Sequence, residues 1–164
     1  MSWTLRAAGP EDAEAIAETL QIGFDGYREL APPGWRPPDA RSAAEITRVR
    51  ARLGEPSTWA MLAEDGGLVA GHAGYLPQPG FPGSAHLWQL FLRPPWWGSG
   101  IARALLHEAI AAAAGEGYGR MRLFTPRDQA RARAFYEREG WTAADKTEFS
   151  PELRLDLVLY ERAV

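Results

Sequence analysis

The sequence predicts a mixed α/β layer, with a central, mostly antiparallel sheet flanked by helices. Three observations lead there. Hydrophobic spacing places one strand and two helices first, then three strands, a helix, a strand, a helix and two closing strands. Asp65-Gly66-Gly67 stands between two apolar runs and marks a hairpin, so the sheet begins antiparallel. One strand–helix–strand passage, from His86–Arg93 through Gly100–Ala114 to Met121–Phe124, supplies a crossover. That order does not fit a doubly wound parallel sheet. The 164 residues are expected to form a single domain, 1–164.

Each element has its own signal. Leu5–Ala8 is a short strand. Pro10 at a first helical turn, with Glu11 and Asp12 beside it, starts a helix carried to about Ile22 by Ala13, Ile16, Ala17 and Leu20. Phe24–Pro38 holds Pro32, Pro33, Pro37 and Pro38, which continue neither helix nor central strand, so it is a stiff, aromatic connection. Ser42 and Glu45 have capping-box spacing for a second helix, with Ile46, Val49 and Leu53 on one face and Gly54 as its stop. Trp59–Ala63 and Leu68–Leu76 are the hairpin strands. Ile101, Leu105, Leu106, Ala109, Ile110 and Ala113 make a broad apolar stripe on a long helix. Gln129–Glu139 is a helix closed by Gly140, and Trp141–Phe149 and Arg154–Tyr160 are the last strands.

Composition excludes several functions. With no cysteine there is no disulfide, zinc–thiolate site or cysteine nucleophile. The net charge of −3 gives no basic footprint for nucleic acid and no polybasic run for a membrane surface. No apolar stretch is long enough to span a bilayer and the N-terminus lacks a signal-peptide core, so a cytoplasmic location is expected. His72, His86 and His107 match no zinc spacing, and no metal site is expected.

The strongest chemical signal lies between Leu87 and Leu106. A strand, Leu90-Phe91-Leu92, runs into Trp97-Gly98-Ser99-Gly100, and Ile101, Ala102 and Arg103 open a helix. The first turn of a helix has unpaired N–H groups and the positive end of its dipole, and small residues let an anion approach them. The segment is expected to hold the pyrophosphate of a cofactor, with Arg103 adding charge. It is neither a P-loop, lacking Gly-Lys-Ser/Thr, nor a dinucleotide fingerprint, lacking the ribose-binding acid.

Trp97-Gly98-Ser99-Gly100-Ile101-Ala102 resembles the Gln/Arg-x-x-Gly-x-Gly/Ala loop of the GNAT family of N-acetyltransferases. Gln129–Trp141 is similar to that family's Asn-x-x-Ala-x-x-Phe-Tyr-x-x-x-Gly-Phe. Trp97 departs from the polar Gln/Arg, which leaves the backbone amides to grip the phosphates, and Gln129 departs from Asn. The resemblance implies the GNAT acyl-CoA N-acyltransferase fold. It also implies direct transfer of an acetyl group from acetyl-CoA to a primary amine, with the pantetheine arm laid against the strand edge at Leu90, Phe91 and Leu92.

By the same resemblance, Tyr136 stands where the family keeps the tyrosine that protonates the departing thiolate; the other reading of Tyr136 is a core aromatic beside Phe135. Some members carry their base at the positions matching 86 or 88. His86 is the expected base, because an imidazole titrates near neutrality. On a regular strand it would share a face with Trp88, Leu90 and Leu92. It could equally be a strand-end histidine that only hydrogen-bonds nearby. His72 is expected in the core, on one face with Leu68, Ala70 and Leu76, and His107 in solvent.

Family members build the acceptor site from the connection between the first two helices and the last strand loop. Here that means Phe24, Tyr27 and Trp35, with Glu148 and Phe149 opposite and Trp88 as floor. Such an aromatic cleft suits a small, partly apolar amine; alternatively these aromatics only pack the long connection down. Two further readings stay open: a protein (lysine or N-terminal) acetyltransferase, and a non-catalytic acyl-CoA sensor. A third is an interaction module that uses Trp96-Trp97 as a partner patch, the second subunit of a homodimer being one such partner.

Overall fold

The computed structural model describes residues 2–164. Seven strands form one sheet in the order β1-β2-β3-β4-β5-β7-β6. They are β1 (Trp3–Ala7), β2 (Trp59–Asp65), β3 (Leu68–Pro77), β4 (Ser84–Leu92), β5 (Arg120–Pro126), β6 (Thr142–Ser150) and β7 (Leu155–Ala163). Four helices pack on it: α1 (Ala13–Gly26), α2 (Ala43–Leu53), α3 (Ile101–Gly115) and α4 (Ala130–Arg138). The expected element order is the observed one. Every strand pair is antiparallel except β4 with β5.

Local chemistry sets the element ends. Pro10–Asp12 forms a 3-10 turn before α1, so the helix proper starts at Ala13, later than expected, and it runs on to Gly26. Ser42 Oγ accepts the Glu45 amide at 3.2 Å and caps α2. The Glu45 carboxylate turns instead to Arg48, so only half of the capping box forms. Asp65 pairs with Leu68 across Gly66 and Gly67, both at positive φ (59° and 83°), a two-residue turn that matches the twist of the β2–β3 hairpin.

The two faces of the sheet bury different clusters. Ile16, Leu20, Val49 and Leu53 of α1 and α2 pack on Leu62, with Val69 and Phe91 beside them. On the other face Ile101 and Leu105 of α3 pack on Ala63, Ala70 and Ala73, and Leu106, Ala109 and Tyr136 pack on Leu87, Met121 and Tyr160. Gly23 lets α1 lie close to the sheet, because the Phe91 ring occupies the place a Cβ would take.

The expected strand faces need correction at two bulges. Gly74 pairs with Gln89 and Tyr75 with Leu87, so Trp88 is an extra residue in β4. A single added residue reverses the alternation beyond it. His86 and Trp88 therefore face α2, where Arg52 lies over the Trp88 ring, while Leu90 and Leu92 turn to the α3 side. The face predicted for 86, 88, 90 and 92 breaks at Trp88. A second shift, between Ala63 and Glu64, makes Ala70 the extra residue of β3. His72 thus faces Phe91 and Gln89, away from Ala70.

Candidate functional site

The site begins with a fork. Parallel strands β4 and β5 pair only at Ser84–Arg120, Ala85–Met121 and His86–Arg122. Beyond His86, β4 stays with β3 and β5 stays with β7, and the two part. Their carboxyl ends point the same way, so α3 and α4, which follow them, both bring N-termini to the open side. A cleft of about 1500 Å³ fills the gap. One small-molecule site is typically ~300–1,000 Å³, so two reactants have room here.

The glycine loop lines one end of the cleft through Trp97, Gly98, Gly100, Ala102 and Arg103. Gly98 and Gly100 sit at φ 79° and 90°, and a Cβ at either would meet open space. Their identity answers to backbone conformation, not to crowding. Among the described residues, the amides of Gly98, Gly100, Ala102 and Arg103 have no acceptor. Ser99 Oγ takes the Ile101 amide at 3.3 Å, and Ile101 is fully buried in the core. These two residues of the expected cofactor set shape the loop without lining the cleft.

Trp97 is exposed, but it is not idle. Its Nε1 donates to the Leu92 carbonyl at 2.9 Å, and the Arg131 guanidinium lies over its ring, 3.9 Å from the centroid. Trp96 instead packs half-buried beside α3 and donates from Nε1 to Asp65 at 2.9 Å. The expected paired-tryptophan patch does not form, because the two side chains leave the turn in different directions. Arg103 meets Glu139 at 3.2 Å. His107, expected in solvent, shares that carboxylate at 2.7 Å.

Of the β4 residues, Leu90, Phe91 and Leu92 all line the cleft, with Phe91 facing the α1 side. Gln129 lines it from the cap of α4. Tyr136 sits in the α4 core, its ring edge-on to Trp141 at 5.8 Å, and also lines the cleft. Among the described residues its hydroxyl has no hydrogen-bond partner. Burial first, and the neighbouring Tyr27 second, hold its pKa well above the ordinary phenol value. The core reading and the cleft reading of Tyr136 thus describe one side chain.

His86 marks the last rung before the fork and lines the cleft. Its Nδ1 is buried without a partner. Burial lowers its pKa; the Arg122 backbone opposes this, and the charges of Arg122 and Arg52 add to it. His72 is buried and bonds Gln89 through Nε2 at 2.7 Å. Its pKa is pulled down to about 4, mainly by burial, as suits a core histidine.

The acceptor candidates divide. Phe24, Tyr27 and Trp88 line the cleft; Phe24 stands edge-on to Phe91 and next to Tyr27. Trp35 does not line it. Its Nε1 donates to the Leu153 carbonyl at 2.7 Å and ties the α1–α2 connection to the β6–β7 turn. Glu148 and Phe149 lie exposed on β6, the sheet edge, outside the cleft; Ser150 at the end of β6 and Glu152 and Leu153 of the turn line it instead. The sequence reading missed Arg48, Arg52, Arg131 and Arg138 on the cleft wall. Among the described residues no cluster of carboxylates and histidines could hold a metal, and no helix is long and apolar enough to cross a membrane.

A forked sheet with a glycine loop at its mouth has direct counterparts. The family model for the acetyltransferase (GNAT) family matches residues 24–141, well over half of the chain. The chain belongs to the GNAT acetyltransferase family. Solved structures share the fold. A GNAT-family protein from Desulfovibrio desulfuricans has TM-score 0.74 and 24% identity, with 99% of each chain covered. PaiA N-acetyltransferase from Thermoplasma acidophilum, solved with coenzyme A, has TM-score 0.74 and 19% identity, with 100% of each covered. The ribosomal-protein-S18-alanine N-acetyltransferase of Escherichia coli has TM-score 0.68 and 17% identity, covering 99% of this chain and 94% of that one. Curated protein sequences yield no match. As a GNAT acetyltransferase the chain uses acetyl-CoA. Its own residues fit that donor: four unbonded amides and a glycine-lined approach stand at the loop, and free strand edges flank the fork.

Proposed function

We propose that this GNAT acetyltransferase moves an acetyl group from acetyl-CoA directly to the primary amine of a small, partly apolar acceptor. The cleft carries the reading: one end offers unbonded amides to phosphate oxygens, and other walls offer Phe24, Trp88 and Phe91 to an apolar amine. Bound acetyl-CoA supplies the thioester. The loop amides take the pyrophosphate, and Arg131, held over Trp97, stands in for the cation absent from position 97. The unpaired β4 edge beyond His86 takes the pantetheine amides as an added strand.

The acceptor nitrogen must be neutral to attack, and a free alkylammonium is not. His86 takes its proton; burial, by keeping the ring unprotonated near neutral pH, suits it to this. The nitrogen–carbonyl bond forms, the carbon–sulfur bond breaks, and the thiolate takes a proton from Tyr136. Burial raises the phenol pKa, so Tyr136 is protonated near neutral pH and has a proton to give.

A covered acceptor end favours a small molecule over a protein segment. Trp35 with Leu153 and Arg154 with the Arg36 carbonyl tie the α1–α2 connection to the β6–β7 turn, and Arg48 with Glu152 ties α2 to it. Retained Tyr136 favours catalysis over mere acyl-CoA sensing. The test is thiol release from acetyl-CoA with a panel of small amines beside lysine-containing and N-terminal peptides. Turnover of small amines is expected; peptides alone as acceptors would replace the small-molecule reading, and no acceptor-dependent release would leave the sensor.

A further inference from the structure

Three arginines of the cleft wall have no acid partner among the described residues: Arg131, which lies over Trp97 beside the glycine loop, Arg138, which ends α4, and Arg52, the one beside Trp88 and His86. Arg52 lies in the last turn of α2, half-buried, with its guanidinium carbon 5.5 Å from the centroid of the Trp88 ring. Its helix neighbours are paired: Arg48 meets Glu45 and Glu152, and Arg50 meets Glu14. Among the described residues Arg52 makes neither an ion pair nor a hydrogen bond. The helix C-terminus and the Trp88 face favour its charge without supplying the acceptors that five N–H donors seek. The charge is also felt at His86, which places it on the acceptor side of the fork.

We propose that the acceptor amine carries a carboxylate and that Arg52 is the residue that binds it. The proposal rests on the N-acetyltransferase reading and names its substrate class: amino acids and close analogues with an apolar side chain. A guanidinium fork matches a carboxylate in shape and in unit charge. A phosphate would call for a second cation beside Arg52, and Arg48, about one helical turn before it on the cleft wall, is already held by two acids. Glu29 and Asp39, on the α1–α2 connection, line the same cleft, and their negative charge is complementary to the ammonium form in which an amino acid arrives. Phe24, Leu30 and Leu153 leave an apolar surface for the side chain.

The experiment compares matched acceptors that differ at one group: phenylalanine, phenylalaninamide, phenethylamine and the aminophosphonate analogue of phenylalanine. Thiol release gives kcat/KM for each, expressed per unprotonated amine because the four differ in basicity. Wild type is expected to prefer phenylalanine to the amide and the amine by about tenfold or more. Arg52→Gln keeps the helix and most of the aliphatic stem. It should lower kcat/KM for phenylalanine by roughly 10- to 100-fold and for phenethylamine by less than about threefold. Arg52→Lys should restore part of the loss, and the melting shift caused by CoA should be the same in all three proteins. Equal use of acid, amide and amine, an equal loss on all acceptors in Arg52→Gln, or a preference for the phosphonate would each overturn the carboxylate assignment while leaving the acetyltransferase standing. If none of these or other amines is acetylated although CoA raises the melting temperature, the acetyltransferase reading itself fails and this inference falls with it.

Discussion

Arg131 of α4 holds its guanidinium 3.9 Å from the ring centroid of Trp97, 34 positions earlier in the chain. The contact joins the two helix N-termini that border the open side of the cleft. It places a cation beside the glycine loop at the point where the GNAT pattern has a polar side chain and this chain has an indole. Trp97 is itself anchored, through Nε1 to the Leu92 carbonyl. Loss of either partner removes the same charge from the same place.

Trp97→Ala and Arg131→Ala are therefore each expected to raise the KM for acetyl-CoA by about threefold to tenfold, the range of a cation–π contact in partial solvent. The double variant should be little worse than either single one, because the effects share one contact. Full additivity, or an unchanged KM in Arg131→Ala, would show that the stack plays no part in donor binding.

The loop itself makes a second prediction. Gly100 has φ 90° and open space beyond its α-carbon. Gly100→Glu costs about 1–2 kcal/mol for the left-handed backbone and sets a carboxylate before the amides of Ala102 and Arg103. CoA should raise the melting temperature of the wild type and not that of the variant, which stays folded by circular dichroism. Retention of the wild-type shift would move the pyrophosphate elsewhere.

Tyr136→Phe keeps the ring in its place beside Trp141 and removes only the hydroxyl, which among the described residues bonds nothing. Turnover is expected to fall by roughly tenfold to a thousandfold with CoA affinity unchanged. Stability should hardly move, since no hydrogen bond is lost. Wild-type turnover under conditions where chemistry limits the rate would leave Tyr136 as packing alone.

What the sequence made legible follows from how locally each feature is encoded. Helices and strands were readable because their periodicities are local, and the glycine loop because its spacing is. The bulge at Trp88 was not: its signal is a pairing between Gly74 and Gln89 across two strands, and a run such as His86-Leu87-Trp88-Gln89 shows nothing of it. From that one residue came the error in the face of Leu90 and Leu92. Trp35 was visible as an aromatic in a stiff connection, but its hydrogen bond to Leu153 spans 118 residues. Arg52 sits in an ordinary run of α2 arginines, and only the fold shows that the other two have acids in reach and it has none.

His72 gives a stability prediction. Burial lowers its pKa to about 4, against an ordinary 6.5. Between those values the unfolded chain binds the proton and the folded one does not, so stability falls as pH drops from 6.5 toward 4 and is fully present above 6.5. The loss amounts to about 3 kcal/mol over the window. Urea unfolding at several pH values should show this slope, and His72→Gln, which can still hydrogen-bond Gln89, should flatten it. An equal slope in the variant would assign the effect to other groups.

The base prediction turns on the same physics used differently. His86 is only partly covered: the residue lines the cleft, its Nδ1 is buried without a partner, and burial lowers the pKa. If His86 removes the acceptor's proton, the acidic limb of kcat/KM must report a free-enzyme group below the ordinary imidazole value of about 6.5. Activity is then full above that pKa and lost as pH falls through it, because the protonated ring cannot accept. The acceptor's own ionisation also suppresses rate at low pH. Two acceptors of different basicity separate them, since a limb that moves with the amine belongs to the substrate. His86→Gln should lower kcat/KM by roughly 10- to 1,000-fold, remove the enzyme's limb and leave the CoA melting shift intact. A variant that kept both rate and limb would pass the proton to another route. His72 cannot supply it from the core and Glu148 lies outside the cleft, so that route would be a water chain along the open fork between β4 and β5.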